Sequence, residues 1–144
     1  MAAFGTVFMP EMAISWFDGS SWSTPELVAS DSLQLHPGAH VLHYSSTCFE
    51  GLKAFRHADG SVKIFRMDKN LDRFEQSSHL LALPPIDKNA TREMIIDTVR
   101  RFAADVPEAP GPCTFDQLTL VLKRLSVKQQ RPLSPLVSTS SFHL

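Results

Sequence analysis

The chain has 144 residues, of which 43% are apolar and 20% charged, and its net charge is -1 at pH 7. That length fits one domain, or one domain with a tail, and the composition is too apolar for a wholly disordered chain. The charge balance excludes a nucleic-acid or anionic-membrane surface as the main role, and no apolar run reaches the roughly 18 residues of a membrane span.

Residues 1–10 carry no basic residue ahead of their apolar stretch, so they do not read as a secretory signal. Residues 13–17, followed by Asp18-Gly19, predict a short strand running into a turn. His36-Pro37-Gly38 is a loop signal, because proline fixes φ and glycine frees it. The segment holding His40 and His43 reads as extended. Residues 51–66 predict a hairpin, with Leu52, Ala54 and Phe55 before the turn and Val62, Ile64 and Phe65 after it. Asp59-Gly60 supplies the positive-φ residues that a tight hairpin turn needs. A first helix begins with Asp68 as N-cap, places Leu71, Phe74, Ser78 and Leu81 on one face, and stops at Pro84-Pro85. A second begins near Thr91 and buries Met94, Ile95, Thr98, Val99, Phe102 and Val106, with Arg100 and Arg101 at its dipole-favoured end. Strands followed by two helices, without βαβ alternation, predict an α+β class: an antiparallel sheet with two packed helices, then an irregular tail.

Composition divides the chain near residue 111. Residues 1–111 hold all six glycines and 14 of the 15 acidic residues, whereas residues 112–144 hold one acid, Asp116. Pro107, Pro110, Gly111 and Pro112 mark the change as a linker. Cys48 and Cys113 form neither a metal pair nor a disulfide framework, which points to a reducing, cytoplasmic setting.

From physics alone the chemistry is sparse. His40 and His43 have a metal-compatible spacing but no third ligand, so they read as ordinary polar histidines and no metal is expected. Tyr44, the sole tyrosine, reads as packing, Glu50 as a solvated strand charge, and Arg73 as a surface cation within reach of an anion. No phosphate loop, HExxH or GxSxG motif is present.

The runs Leu42-His43-Tyr44, Phe49-Glu50-Gly51-Leu52-Lys53-Ala54-Phe55-Arg56, Asp59-Gly60-Ser61-Val62-Lys63-Ile64-Phe65-Arg66, Asn70-Leu71-Asp72-Arg73-Phe74 and Ser77 to Pro84 carry a specific likeness. Together they resemble the branched-chain amino acid aminotransferases, class IV enzymes that use pyridoxal 5'-phosphate, over residues 10–111. The resemblance implies that Arg73 holds the cofactor phosphate, a task suited to a guanidinium fork. It implies that Tyr44 and Phe49 wall the pocket for an aliphatic amino-acid side chain, with Glu50-Gly51 as support at its mouth. The implied reaction moves an amino group from leucine, isoleucine or valine to 2-oxoglutarate, in a homodimer. It also implies a Schiff-base lysine in a second, larger domain. None of Lys53, Lys63, Lys69, Lys88, Lys123 and Lys128 matches that lysine, so the chain is expected to be a truncated small domain, inactive alone. The rival expectation is a non-catalytic fragment, unfolded or bound to a full-length aminotransferase subunit.

In the family, the small domain continues into Tyr-Ile-Arg-Pro-Thr and then Gly-Thr-Glu. Here residues 113–120 read Cys-Thr-Phe-Asp-Gln-Leu-Thr-Leu. Read one base out of frame, the codons for residues 113–118 permit Tyr, Ile, Arg, Pro and Thr in order, and those for 120–123 permit Gly, Thr and Glu. Residues 112–144 are therefore expected to be an unrelated, frame-shifted and disordered tail. An unpaired sheet edge and marginal stability are expected to follow.

Overall fold

The computed structural model describes residues 8–106, and the backbone of residues 116–123 and 134–141. The predicted first strand is β1, Glu11–Phe17, and Gly19 turns the chain after it with a φ of 106°. Met12, Ala13, Ile14 and Ser15 are all buried, so this strand is covered on both faces. A short strand absent from the sequence pattern, β2 (Glu26–Ala29), pairs antiparallel with β1. Met12 and Ile14 pack with Trp16, Val28 and Leu33 on one side of the sheet, while Ala13 joins the helix-side core.

The histidine segment is not extended. Residues His40–Tyr44 form one helical turn, α1, closed by Ser45 at a φ of 50°. Local bonds outweigh the weak strand pattern: His43 Nε2 donates to the Pro37 carbonyl at 2.7 Å, and His40 Nδ1 shares a hydrogen bond with Ser46 Oγ.

The hairpin is present as β3 (Thr47–Arg56) and β4 (Val62–Phe65), with Lys53 opposite Phe65 and Arg56 opposite Val62. Gly60 has a φ of 81°, and its N–H donates to the His57 carbonyl at 2.9 Å. Arg56 ties this hairpin to the end of the helical layer, donating to the carbonyls of Val106 at 2.8 Å, Gly60 at 3.1 Å and Ala103. These charge-assisted bonds reach backbone oxygens in the hairpin turn and at the end of the helical layer.

Helix α2 spans Met67–Leu80 and α3 spans Lys88–Arg101. Both begin elsewhere than the sequence suggests. Arg66, at a φ of 48°, starts α2 directly from the β4 exit, which places Asp68 inside the first turn, where its charge meets the positive dipole end. Asp87, not a residue near Thr91, caps α3 by accepting from the N–H groups of Asn89 at 2.9 Å and Ala90 at 3.0 Å. Leu81 stays exposed because the helix ends there, and Ala82 turns the chain at a φ of 50°. Leu71, Phe74, Met94, Ile95 and Val99 from these helices pack on Cys48, Leu52 and Ala54 of β3.

Residues beyond 111 are not irregular throughout. Asp116–Lys123 (β5) and Ser134–Ser141 (β6) are strands, and the antiparallel sheet runs β2-β1-β6-β5-β3-β4. β5 pairs with β3 from Thr47↔Lys123 to Ala54↔Asp116, and β6 lies between β5 and β1. The reason is physical: Leu118, Leu120 and Leu122 alternate within a β-forming run, and β1 and β3 each offer an edge whose backbone groups need partners. The unpaired edge expected at these strands is thus filled. For 112–115, 124–133 and 142–144 the expected disorder lies outside the described residues. The α+β class stands.

Cys48 is 8% exposed, and burial pushes its thiol up to about 11. At pH 8 a folded chain therefore presents almost no Cys48 thiolate. Alkylation with iodoacetamide followed by peptide mapping is expected to leave Cys48 unmodified until denaturant is added. Rapid labelling in the folded state would contradict this packing.

Candidate functional site

Strand β3 alternates its side chains between two faces. Cys48, Leu52 and Ala54 face the helices and are buried, and Glu50 belongs to the same set. On α2, Asn70 and Arg73 lie three residues apart, hence on one side of the helix. These three residues meet. Arg73 donates through Nη2 to Glu50 Oε1 at 2.7 Å and through Nε to Oε2 at 3.1 Å. The Asn70 side-chain amide donates to Glu50 Oε1 at 3.0 Å and to the Gly51 carbonyl at 2.9 Å.

The burial is graded. The Glu50 side chain is 11% exposed and that of Arg73 is 60% exposed. A nearly buried carboxylate with three donors is well satisfied. Glu50 holds the Arg73 guanidinium above its ordinary value, first through the hydrogen bonds and then through its charge. Of the five guanidinium N–H groups, two serve Glu50, and the other three make no hydrogen bond among the described residues. That free edge has the geometry to receive a phosphate or carboxylate.

Tyr44 and Phe49 are both 71% exposed. Phe49 precedes Glu50 in the strand, so it leaves the opposite face of β3 from Arg73. Tyr44 ends α1 and packs on His40, with ring centroids 4.4 Å apart. The structure therefore groups Arg73 with Glu50 and Asn70, and places Phe49 across the sheet. Phe65, 60% exposed, stands opposite Lys53 in register, so the face bearing Phe49 is aromatic and open. Asn70 is the residue that sequence reasoning misses; its spacing to Arg73 on a predicted helix is the available signal.

A cleft of about 610 Å³ lies near the end of α2, lined by Asp72, Glu75, Ser78, His79 and Leu83, among others, and by none of Tyr44, Phe49 and Arg73. Lys88 bonds Glu75 at 2.9 Å and Asp72 at 3.4 Å at this cleft. Among the described residues, no group of three histidine, cysteine or acidic side chains is placed to hold a metal, and no helix is long and apolar enough to cross a membrane.

No family model matches the chain. The cytosolic branched-chain-amino-acid aminotransferase of Ovis aries is 33% identical over 135 residues, covering 93% of this chain and 35% of that protein. The branched-chain-amino-acid aminotransferase of Dictyostelium discoideum is 32% identical over 125 residues, covering 86% of this chain and 33% of the relative. The sheep match is long enough to run past residue 111. In fold, the chain is similar to the branched-chain aminotransferase of the thermophilic archaeon Thermoproteus uzoniensis with norvaline, at a TM-score of 0.62 and 18% identity over 90% of this chain and 40% of that one. The Escherichia coli branched-chain amino acid aminotransferase gives a TM-score of 0.63 at 16% identity, over 90% of this chain and 40% of that one. The chain spans about a third of the length of the curated relatives it matches. Over most of its own length the chain is thus related in sequence to about a third of a branched-chain amino acid aminotransferase, and it shares the fold of the solved ones.

Proposed function

We propose that this chain supplies the small-domain half of a branched-chain amino acid transaminase site, with Arg73 as the ligand of the cofactor phosphate. The observation that carries the reading is the oriented and exposed guanidinium of Arg73 on a family-type sheet and helix. Its free N–H groups fit a phosphate ester in charge and in geometry. When bound, pyridoxal 5'-phosphate supplies the carbonyl that takes up and hands on the amino group. Arg73 anchors it. Phe49 leaves the face of β3 opposite Arg73, so in this reading Tyr44 and Phe49 offer their exposed aromatic surface to the leucine, isoleucine or valine side chain in the site of a second copy, each buried methylene adding about 0.8 kcal/mol. 2-Oxoglutarate is the amino acceptor in this reading.

The open aromatic face that holds Phe49 and Phe65 supports assembly as a homodimer. The cytosolic sheep and mouse relatives support a cytoplasmic location, although a relative in Schizosaccharomyces pombe is named mitochondrial. Residues 1–111 are assigned to the small domain. The codon pattern supports a shifted frame beyond that point, whereas the strands at 116–123 and 134–141 favour a segment that shares the domain's sheet.

Lys69 is paired with Asp72 and Lys88 with Glu75, and Lys53 and Lys63 stand on the hairpin strands. Because the family resemblance matches none of the six lysines to the Schiff-base lysine of the larger domain, the 144 residues alone are proposed to be non-catalytic. Incubated with pyridoxal 5'-phosphate, leucine and 2-oxoglutarate, they are expected to form glutamate at the protein-free rate. Enzymatic turnover by the chain alone would overturn that part of the reading.

A further inference from the structure

A carboxylate beside a cation that receives phosphate has two opposing effects. Its charge weakens the attraction of the cation for another anion. Its fork removes rotamer freedom from a long, exposed side chain before the anion arrives. At this site the carboxylate is itself fixed. Asn70, 7% exposed, spends one amide N–H on Glu50 and the other on the Gly51 carbonyl. The fork comes from below, on the nearly buried side, while the guanidinium is 60% exposed. Water screens the repulsion at such a position, so orientation is the larger effect.

We infer that Glu50, held by Asn70, is a positioning residue that aims the free edge of the Arg73 guanidinium at a phosphate monoester. The inference rests on the reading of Arg73 as the phosphate ligand. A merely structural link between β3 and α2 would use the same bonds, so the test must read phosphate binding and not only stability.

The chain, labelled with nitrogen-15, is titrated with inorganic phosphate at constant ionic strength, following the Arg73 Nε–H signal. The signal is assigned by its loss in Arg73→Ala. Glu50→Gln deletes the negative charge but keeps only one acceptor for the fork. It is expected to weaken phosphate binding about three- to tenfold, even though a repelling charge is gone. Asn70→Ala keeps both charges and loosens the carboxylate, and is expected to shift affinity in the same direction. Thermal unfolding of each variant confirms which are folded, and either folded variant suffices. Unchanged or tighter phosphate binding in the folded variants overturns the inference and leaves Glu50 a structural tie. If phosphate does not move the wild-type Arg73 signal, or if Arg73→Ala binds phosphate as well as the wild type, the reading of Arg73 falls, and the inference with it.

Discussion

Replacing Phe74 with alanine is expected to cost about 3–5 kcal/mol of folding stability. Phe74 is fully buried on α2, in the cluster with Leu52, Leu71 and Ile95. It is the largest of the fully buried side chains, at the seam where β3, α2 and α3 meet, so its removal opens a cavity that several elements cannot jointly close. A domain of this size has about 5–15 kcal/mol in total. The variant should therefore melt about 10–20 °C below the wild type, or fail to fold, as followed by circular dichroism. Phe49→Ala serves as the comparison. The same chemical change at a site 71% exposed should stay within about 0.5 kcal/mol. Equal losses at the two positions would show that the sheet does not bury the face assigned here.

The second large effect concerns binding and leaves the fold intact. Arg73→Ala is expected to weaken the hold on a phosphate-bearing pyridoxal compound on the order of tenfold or more, because it deletes the charge-assisted donors that the rest of the site does not replace. Stability should fall modestly, by about 1 kcal/mol, because Glu50, 11% exposed, keeps only the Asn70 donor while water gains access where the exposed guanidinium stood. The pH dependence has a definite sign. Arginine stays charged throughout, while the second ionisation of a phosphate monoester lies near about 6. The advantage of the wild type over Arg73→Ala should therefore grow as pH rises through that value. An advantage that shrinks with rising pH would point to recognition of something other than the phosphate dianion.

Much of the architecture is legible in the residues. The Asp59-Gly60 turn, the alternation around Val62 and Ile64, and the helical spacing of Leu71, Phe74 and Ser78 act over a few residues, and local chemistry decides them. Helix starts are less legible. The apolar period begins inside α3, while the cap at Asp87 depends on a side chain that turns back to two amides. The short helix at His40–Tyr44 depends on hydrogen bonds to Pro37 and Ser46 that no periodicity announces. Strands β5 and β6 escape a reading that weighs compositional asymmetry above the alternation of Leu118, Leu120 and Leu122, and their partners lie far away in sequence. Arg73 emerges through family resemblance, not physics. Its pairing with Glu50 and Asn70 needs the third dimension, because Glu50 lies 23 residues from Arg73 along the chain.

The central claim is that Arg73 presents a phosphate-receiving edge on a transaminase-type sheet. Equilibrium dialysis of the 144-residue chain against pyridoxamine 5'-phosphate and against pyridoxamine tests it most directly. The wild type should retain the phosphorylated compound at least several-fold better, and Arg73→Ala should lose that preference while remaining folded. Equal retention of the two compounds by the wild type, or a preference that survives in folded Arg73→Ala, would contradict it.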